Sequence, residues 1–313
     1  MQAPDPLAGF CLVGNPSSPQ ITPSALVMSY NQAPNANLTD ADKEFETTVK
    51  TNLALLRLLV HEPIKIYPLY ASDQGLSMYE MFIKRHPLAW SAFFMGAERE
   101  IRHACQMVSQ ESISTGKAIF PLAPNVLRAF YLTPLFMLKA VILGQDPYPG
   151  MSKKGMPKAI GVCFASDRLS GEIPDSLKTV YGELERTVEN WKQPGHADIT
   201  SWGRQGVLLI NTALTVEANR PGSHTGYWKP FTEKLMDYIN ENCRDVVFML
   251  WGKHAQKAAE TIYSSRHLKL TAYHPSPMNA GREEFQFKGC DHFNLANFHL
   301  SEKNIRPIDW TVK

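Results

Sequence analysis

Three polar residues of different types stand where an apolar run of the sequence ends. Asp146 follows VILGQ and lies in the stiff turn DPYPG, Asn211 ends GVLLIN, and His274 follows LKLTAY. An acid, a carboxamide and a histidine that meet in one cleft suit general acid–base or electrostatic catalysis. Taken alone, these residue types leave two classes open, an acid–base enzyme and a ligand-binding α/β domain.

Several other kinds of site are not indicated by the sequence. The chain has no G-x-S-x-G nucleophile elbow and no phosphate-binding G-x-x-x-x-G-K-[ST] or G-x-G-x-x-G loop. A metal between Asp146 and His274 would have only two ligands in view, and none of the five cysteines belongs to a C-x-x-C pair. We therefore expect neither a metal site nor a cysteine-ligated iron–sulfur cluster.

The composition is typical of a soluble globular protein inside the cell. Of 313 residues, 44% are hydrophobic, the mean hydropathy is -0.24, and no apolar run approaches the length needed to span a bilayer. The first residues lack the features of a secretory signal, and the scattered cysteines indicate free thiols in a reducing compartment. Because the net charge is only +2, affinity for nucleic acid would need a local basic patch.

The beginning of the chain differs in pattern from the rest. Residues 1–40 are rich in Pro, Ser and Asn without sustained periodicity, which predicts a flexible or loosely docked extension. Apolar residues at spacings of three and four then predict a helix near 40–62, with Thr39 and Asp42 in capping-box positions. Further helices are predicted within 88–111 and at the end of 119–134.

From residue 139 onward, apolar runs alternate with helical patterns. The predicted strands are 139–144, 206–211, 246–252 and 268–275, and the predicted helices between them are 176–190, 228–242 and 254–263. This alternation predicts a doubly wound α/β fold with a central four-stranded, mostly parallel sheet and helices on both faces. Ligands bind at the carboxyl ends of such strands, where Asp146, Asn211 and His274 stand.

Seven segments, in this order and spacing, resemble family 1 uracil-DNA glycosylases. They are GQDPYPG (144–150), GVCFAS (161–166), GVLLINTALTV (206–216), SHTGYW (223–228), FMLWGKHAQK (248–257), AYHPSPMNA (272–280) and IRPIDW (305–310). The resemblance runs from about Leu88 to Asp309, so we predict a catalytic domain at 88–313 behind an extension at 1–87. It implies a monofunctional glycosylase that flips uracil out of DNA and hydrolyses its N-glycosidic bond without metal or cofactor.

The resemblance also implies roles for the residues at the strand ends. Asp146 would activate or orient water and stabilise a cation-like sugar, because glycosidic cleavage develops positive charge on the ring. His274 would donate a hydrogen bond to uracil O2 as the base leaves as an anion. Asn211 would accept from uracil N3–H and donate to O4, a pattern that cytosine reverses. Without the resemblance, the sequence favours a turn cap for Asp146 and a turn histidine for His274, and it leaves a turn role and a recognition role equally open for Asn211.

Three further residues would complete the pocket for the base. Phe164 would stack on the flipped uracil, Tyr148 would fill the space that a thymine methyl needs, and Gln145 would contribute its backbone N–H. Most aromatic residues of these types are simply part of a core, which is the alternative reading of Phe164 and Tyr148.

Contacts with DNA are indicated more weakly. Met278 stands where the family usually places a leucine that wedges into the minor groove, and the serines correspond to loops that pinch phosphates. Three lysines, Lys153, Lys154 and Lys158, lie in the loop 151–159, which is longer than in relatives. The predicted DNA-binding residues are Met278, Ser176, Ser223, Ser276, Lys153 and Lys154.

Two departures from the family keep other interpretations open. Pro149 replaces the histidine that usually follows PY and helps hold the attacking water, and the segment 279–289 appears lengthened. One alternative is a catalytically weak DNA-binding or processivity scaffold of the same fold, and another is a related glycosylase of broader substrate range. We expect a monomer, not bound to a membrane, in the compartment that holds DNA, acting on single- or double-stranded DNA, with the extension available to a replication or repair protein.

Overall fold

The computed structural model describes residues 77–263, 265–276 and 286–312. The Pro-, Ser- and Asn-rich segment, the helix predicted near 40–62 and the predicted wedge residue Met278 lie outside these residues. No helix in the described ranges is long and apolar enough to cross a membrane.

A four-stranded parallel sheet forms the centre of the described chain. Its strands stand in the order β3-β2-β5-β6, and a second, two-stranded sheet pairs β1 with β4 antiparallel. The strands are β1 Ile119–Phe120, β2 Ala140–Gly144, β3 Val207–Asn211, β4 Val216–Glu217, β5 Val247–Trp251 and β6 Leu268–Ala272. The predicted α/β fold is confirmed, and the central sheet is parallel throughout rather than mostly so.

Helices connect the strands and cover the sheet. They are α1 Met78–Lys84, α2 Ser91–Gly96, α3 Glu98–Thr115, α4 Arg128–Leu132, α5 Asp175–Thr187, α6 Thr200–Gly203, α7 Thr225–Asn242, α8 Lys253–Ala258 and α9 His292–Glu302. Each predicted helix after residue 88 exists with shifted ends. The segment predicted at 176–190 stops at Thr187, because Val188 turns to an extended conformation.

Alternating side chains of each strand reach opposite cores, which is why the strands are apolar throughout. Val141 and Leu143 of β2 join the core formed with α1, α2, α3 and α7, whereas Ala140 and Ile142 join the core formed with α5, α6 and α9. Both faces of the sheet are therefore covered, as a doubly wound fold requires.

Helix α1 belongs to this packing although it precedes the predicted domain boundary at Leu88. Phe82 is fully buried and its ring stacks on Trp228 of α7 at a centroid distance of 5.4 Å. Ser77 caps the helix in a capping box with Glu80. We accordingly propose that the domain begins ahead of α1.

Replacing Phe82 by alanine tests this boundary. Because the ring is fully buried among aromatic neighbours, we expect Phe82→Ala to lower the free energy of unfolding by about 3–5 kcal/mol, measured by denaturant titration. Leu88→Ala is the control, since Leu88 is 74% exposed and should change stability by less than about 0.5 kcal/mol. Equal, small effects of both substitutions would show that α1 is not part of the cooperative unit.

Candidate active site

The carboxyl ends of β2 and β3 and the turn after β6 enclose one pocket of about 200 Å³. The in-register pairing of Gly144 with Asn211 brings the ends of the first two strands together. Seven residues singled out from the sequence line this pocket: Gln145, Asp146, Tyr148, Phe164, Ser176, Asn211 and His274. Side chains up to 129 positions apart in the chain thus share one cavity, which is large enough for a single pyrimidine.

Two glycines at strand ends make room for the polar side chains of the pocket. A Cβ atom on Gly144 would lie 2.1 Å from Asn211 Oδ1 and 2.9 Å from Cys163 Cβ. A Cβ atom on Gly252 would lie 2.9 Å from His274 Cβ, and the φ of +93° at Gly252 is itself unfavourable for other residues. Both glycines follow an apolar run directly, which is the signal in the sequence that could have pointed to them.

The carboxylate of Asp146 is held by a backbone donor from a distant loop. Gly222 N–H donates to Asp146 Oδ2 at 2.6 Å. Burial raises the pKa of Asp146 above its ordinary 3.8, whereas the Gly222 N–H and the nearby His254 act in the opposite direction. The pocket therefore contains a partly desolvated carboxylate with one oxygen fixed.

His254 is a functional candidate that the sequence analysis missed. It lies in the first turn of α8, just after β5 reaches the same edge of the sheet, and its Nε2 is 2.8 Å from Thr212 Oγ1. Because the Thr212 hydroxyl donates its one hydrogen to the Gln145 carbonyl at 2.8 Å, Nε2 of His254 must be the donor to Thr212. Burial lowers the pKa of His254, and the Asp146 carboxylate opposes that shift.

Phe164 adopts an unusual backbone conformation in the wall of the pocket. Its φ is +61°, a value that bulky side chains rarely take and that costs roughly 1–3 kcal/mol. Its ring lies 5.7 Å from the His274 ring and 5.3 Å from Trp251, and Tyr148 donates its hydroxyl hydrogen to the Phe164 carbonyl at 3.1 Å. Such strain concentrates at functional sites, where the surrounding structure holds the residue in place.

The imidazole of His274 stands half-buried beside Phe164. Burial lowers its pKa below the ordinary 6.5, so the ring is neutral at pH 7. Ser276 N–H donates to the His274 carbonyl at 2.7 Å, which closes the turn that carries the ring. A neutral imidazole here can donate a hydrogen bond without adding a positive charge to the pocket.

The predicted DNA-contacting residues are distributed unevenly around the pocket. Ser176, in the first turn of α5, is part of the lining. Ser223 is outside the lining, and its Oγ accepts a hydrogen bond from Glu217 N at 2.9 Å. Lys153 and Lys154 are exposed on a loop that Glu172 anchors, since Lys153 N–H donates to Glu172 Oε1 at 3.2 Å.

In the ranges that the structure covers, no group of three or more His, Cys, Asp and Glu side chains is arranged to hold a metal ion. The residues that line the pocket include an acid, two carboxamides, an imidazole, a serine and two aromatic residues.

Comparison with known proteins identifies the family. The family model of the uracil DNA glycosylase superfamily matches residues 130–301. The uracil-DNA glycosylase of Francisella tularensis subsp. tularensis (strain WY96-3418) is 45% identical over 198 residues, which cover 63% of this chain and 86% of that relative. The relative from subsp. novicida (strain U112) is 44% identical over 200 residues, covering 64% and 87%. The crystal structure of mimivirus uracil-DNA glycosylase aligns with a TM-score of 0.69 at 30% identity, covering 75% of this chain and 89% of that chain.

The chain belongs to the uracil-DNA glycosylase superfamily. It is a DNA repair enzyme that removes uracil from DNA by hydrolysing the N-glycosidic bond. The predicted family and activity are confirmed, and the scaffold interpretation is not favoured.

The glycine that accommodates Asn211 provides a first test of the glycosylase pocket. In Gly144→Ala, the new methyl group would overlap Asn211 Oδ1, so the amide must move. We expect kcat/KM for uracil release to fall by about 10²-fold, since a displacement of 1 Å in a site can cost that much. Gly150→Ala is the matched control in the same turn, because a Cβ atom there meets nothing within 4 Å. Unchanged kinetics in Gly144→Ala would mean that the position of Asn211 is unimportant.

Proposed function

We propose that Asp146 and His274 are the catalytic residues of this glycosylase and that Asn211, Phe164, Tyr148 and Gln145 bind the flipped uracil. The observation that supports this assignment is the meeting of all six in one pocket of about 200 Å³. A base stacked in DNA is out of reach of such a pocket, so the nucleotide must first be extruded at a cost of about a few kcal/mol.

Asp146 is assigned to the sugar side of the reaction. The C1′–N1 bond breaks with its electron pair going to uracil, which leaves positive charge on the sugar that a carboxylate stabilises. Because Gly222 occupies Oδ2, Oδ1 is the oxygen that would orient the attacking water and accept its proton as the water oxygen bonds to C1′. A partly desolvated carboxylate interacts with such a cation more strongly than one in bulk water.

His274 is assigned to the leaving base. As the electron pair moves to the uracil ring, negative charge develops on O2, and a neutral imidazole N–H can donate to it. The lowered pKa of His274 keeps that neutral form populated at physiological pH. A charged imidazolium would instead be a strong enough acid to give up its proton.

The remaining pocket residues are assigned to recognition. The Asn211 amide pairs with uracil N3–H and O4 and is mispaired by cytosine, a difference that can discriminate by on the order of 10⁴–10⁵. Tyr148 is held by its hydrogen bond to the Phe164 carbonyl, so its ring is a fixed block to a base with an extra methyl group. That argues against the glycosylase of broader substrate range.

Asp146→Asn separates activity from stability. Because the folded protein raises the pKa of Asp146 above 3.8, it binds more protons than the unfolded chain between 3.8 and the folded pKa. Stability therefore falls as pH rises through the folded pKa, and the ionised carboxylate is a net cost at pH 7. The variant keeps an oxygen for Gly222 and loses the charge, so we expect uracil release to slow by at least about 10²-fold while Tm at pH 7 rises.

The measurement uses single-stranded DNA carrying one deoxyuridine, in EDTA, and detects the alkali-labile abasic site under single-turnover conditions. Tm of the variant relative to wild type should increase from pH 4 to pH 7. Asp237→Asn, on the exposed side of α7, is the control and should leave the rate unchanged. Wild-type activity in Asp146→Asn would contradict the assignment of Asp146 as the catalytic carboxylate.

The DNA backbone is proposed to contact the serine loops, Met278 and the lysine loop. Lys153 and Lys154 are exposed on a hairpin whose ends pair at Met151 and Pro157, directly after the turn that carries Asp146. Because the net charge of the chain is only +2, binding to DNA needs a local positive patch, and these lysines would supply it.

Replacing both lysines by alanine tests the patch. We expect weaker binding of single-stranded DNA and a slope of log K against log salt that is shallower by up to about 1 per lysine, with an unchanged single-turnover rate at saturating protein. Lys303→Ala is the control, because Lys303 pairs with Asp245 at 3.1 Å, at the amino end of β5 and away from the pocket. An unchanged salt slope in the double variant would exclude the lysine loop from the interface.

We further propose that the protein is a monomer in the DNA-containing compartment and that its N-terminal segment is available to a replication or repair protein.

A further inference from the structure

Asp146 takes its fixed hydrogen-bond donor from the loop 218–224, which carries none of the catalytic groups assigned above. This loop touches the catalytic turn at two points. Gly222 N–H donates to Asp146 Oδ2 at 2.6 Å, and Asn219 N–H donates to the Pro149 carbonyl at 2.8 Å. Asn219 and Gly222 both have positive φ, +61° and +74°, so the backbone of the loop is shaped to present these two N–H groups.

Helix α3 anchors the loop through one carboxylate. Arg220 Nη1 lies 2.5 Å from Glu111 Oε1, and His224 Nε2 lies 3.5 Å from Glu111 Oε2. Arg220 and His224 stand on either side of Gly222 in the chain. Glu111 therefore holds both flanks of the residue that contacts Asp146.

A second ion pair fixes the base of the loop. Lys117 Nζ lies 3.1 Å from Glu217 Oε1, whose side chain is buried, and Glu217 N–H donates to Ser223 Oγ at 2.9 Å. The base is thus tied to the segment that follows α3. Of the two residues that flank Gly222, both contact Glu111, and Arg220 also lies 3.9 Å from Glu217 Oε2.

Both ring nitrogens of His224 face polar groups. Trp228 Nε1–H donates to Thr215 Oγ1 at 2.7 Å, and the Thr215 hydroxyl lies 2.9 Å from His224 Nδ1. In the tautomer in which Thr215 donates to Nδ1, the ring carries its hydrogen on Nε2, which faces Glu111. Burial lowers the pKa of His224, which favours a neutral ring. Arg220 is then the charged partner of Glu111 in the loop.

We propose that Glu111 is a positioning residue for uracil excision, acting through Arg220 and His224 on the loop 218–224 so that the Gly222 N–H orients the Asp146 carboxylate. This inference rests on the proposed catalytic role of Asp146. The Arg220 side chain is 58% exposed and that of Glu111 13%, so the ion pair contributes little net stability. Its effect is to favour the one position of the loop that presents the amide donor to Asp146.

Glu111→Gln is the principal test, because it removes the charge and keeps the shape of the side chain. A loosened loop weakens the Gly222 hydrogen bond, which both orients Asp146 and lowers its pKa. We expect single-turnover uracil release to slow by about tenfold, with KM within about twofold of wild type, because a hydrogen bond to a charged group is lost in part. The acid limb of the pH–rate profile should move to higher pH, because the pKa of Asp146 rises when the Gly222 hydrogen bond weakens. A purely structural defect would not cause this shift.

Glu100→Gln is the matched control. Glu100 is a carboxylate on the same helix, α3, and it pairs with Lys234 of α7 at 3.5 Å without contacting the loop. This variant should change Tm as Glu111→Gln does but leave the rate and its acid limb in place. Arg220→Gln, at an exposed side chain that folding tolerates, should reproduce the effect of Glu111→Gln, and Arg220→Lys should restore part of the rate.

A double-mutant cycle separates this inference from the function on which it rests. In the Asp146→Asn background, Glu111→Gln should cause no further loss, since its effect passes through the carboxylate. If Asp146→Asn is inactive while Glu111→Gln and Arg220→Gln both keep the wild-type rate and acid limb, the role of Glu111 is wrong and that of Asp146 stands. If Asp146→Asn is fully active, the catalytic assignment fails first.

Discussion

The pairing of Gly144 with Asn211 at the ends of two parallel strands is the contact on which the pocket depends. It brings the ends of the two strands to one edge of the sheet, so that Asp146 and Asn211 line a common cavity. Apart from Asn211, the residues of both strands are apolar and buried, with alternate side chains in opposite cores, which favours this register. A side chain at Gly144 would occupy the space of the Asn211 amide. The position of the amide therefore depends both on the strand register and on the glycine opposite Asn211.

The sheet and the strand-end residues Asp146, Asn211 and His274 could be predicted from local patterns, whereas Tyr148, Phe164 and Ser176 were indicated by the family resemblance. Continuous apolar runs predict buried parallel strands, and the geometry of such sheets places the residues after them together. Gly222 and Glu111 could not be found this way. Their contacts join segments far apart in the chain through loop conformations with positive φ, which leave no periodic signal. The position of His254 just after β5 could have been predicted from the sequence, but its hydrogen bond to Thr212 could not.

The pocket contains a strained backbone conformation and partly buried ionisable groups, both of which lower the stability of the folded protein. Phe164 keeps a positive φ, and burial raises the pKa of Asp146 and lowers that of His274. The burial of Trp and Phe side chains in the two cores offsets this loss of stability. Such a division of stability and strain is what a site requires if it is to act on a charge that exists only in the transition state.

Pro149 changes how the catalytic turn is supported. A proline offers no side-chain donor and no N–H, so it cannot donate a hydrogen bond to water or to Asp146. Its carbonyl accepts from Asn219, and the nearby Asp146 carboxylate accepts from Gly222, so two backbone amides of one loop contact the turn. Backbone amides do not titrate, unlike an imidazole. By our proposal the orientation of Asp146 depends on the anchoring of the loop 218–224, and His254 on α8 is a titratable group that acts on its charge.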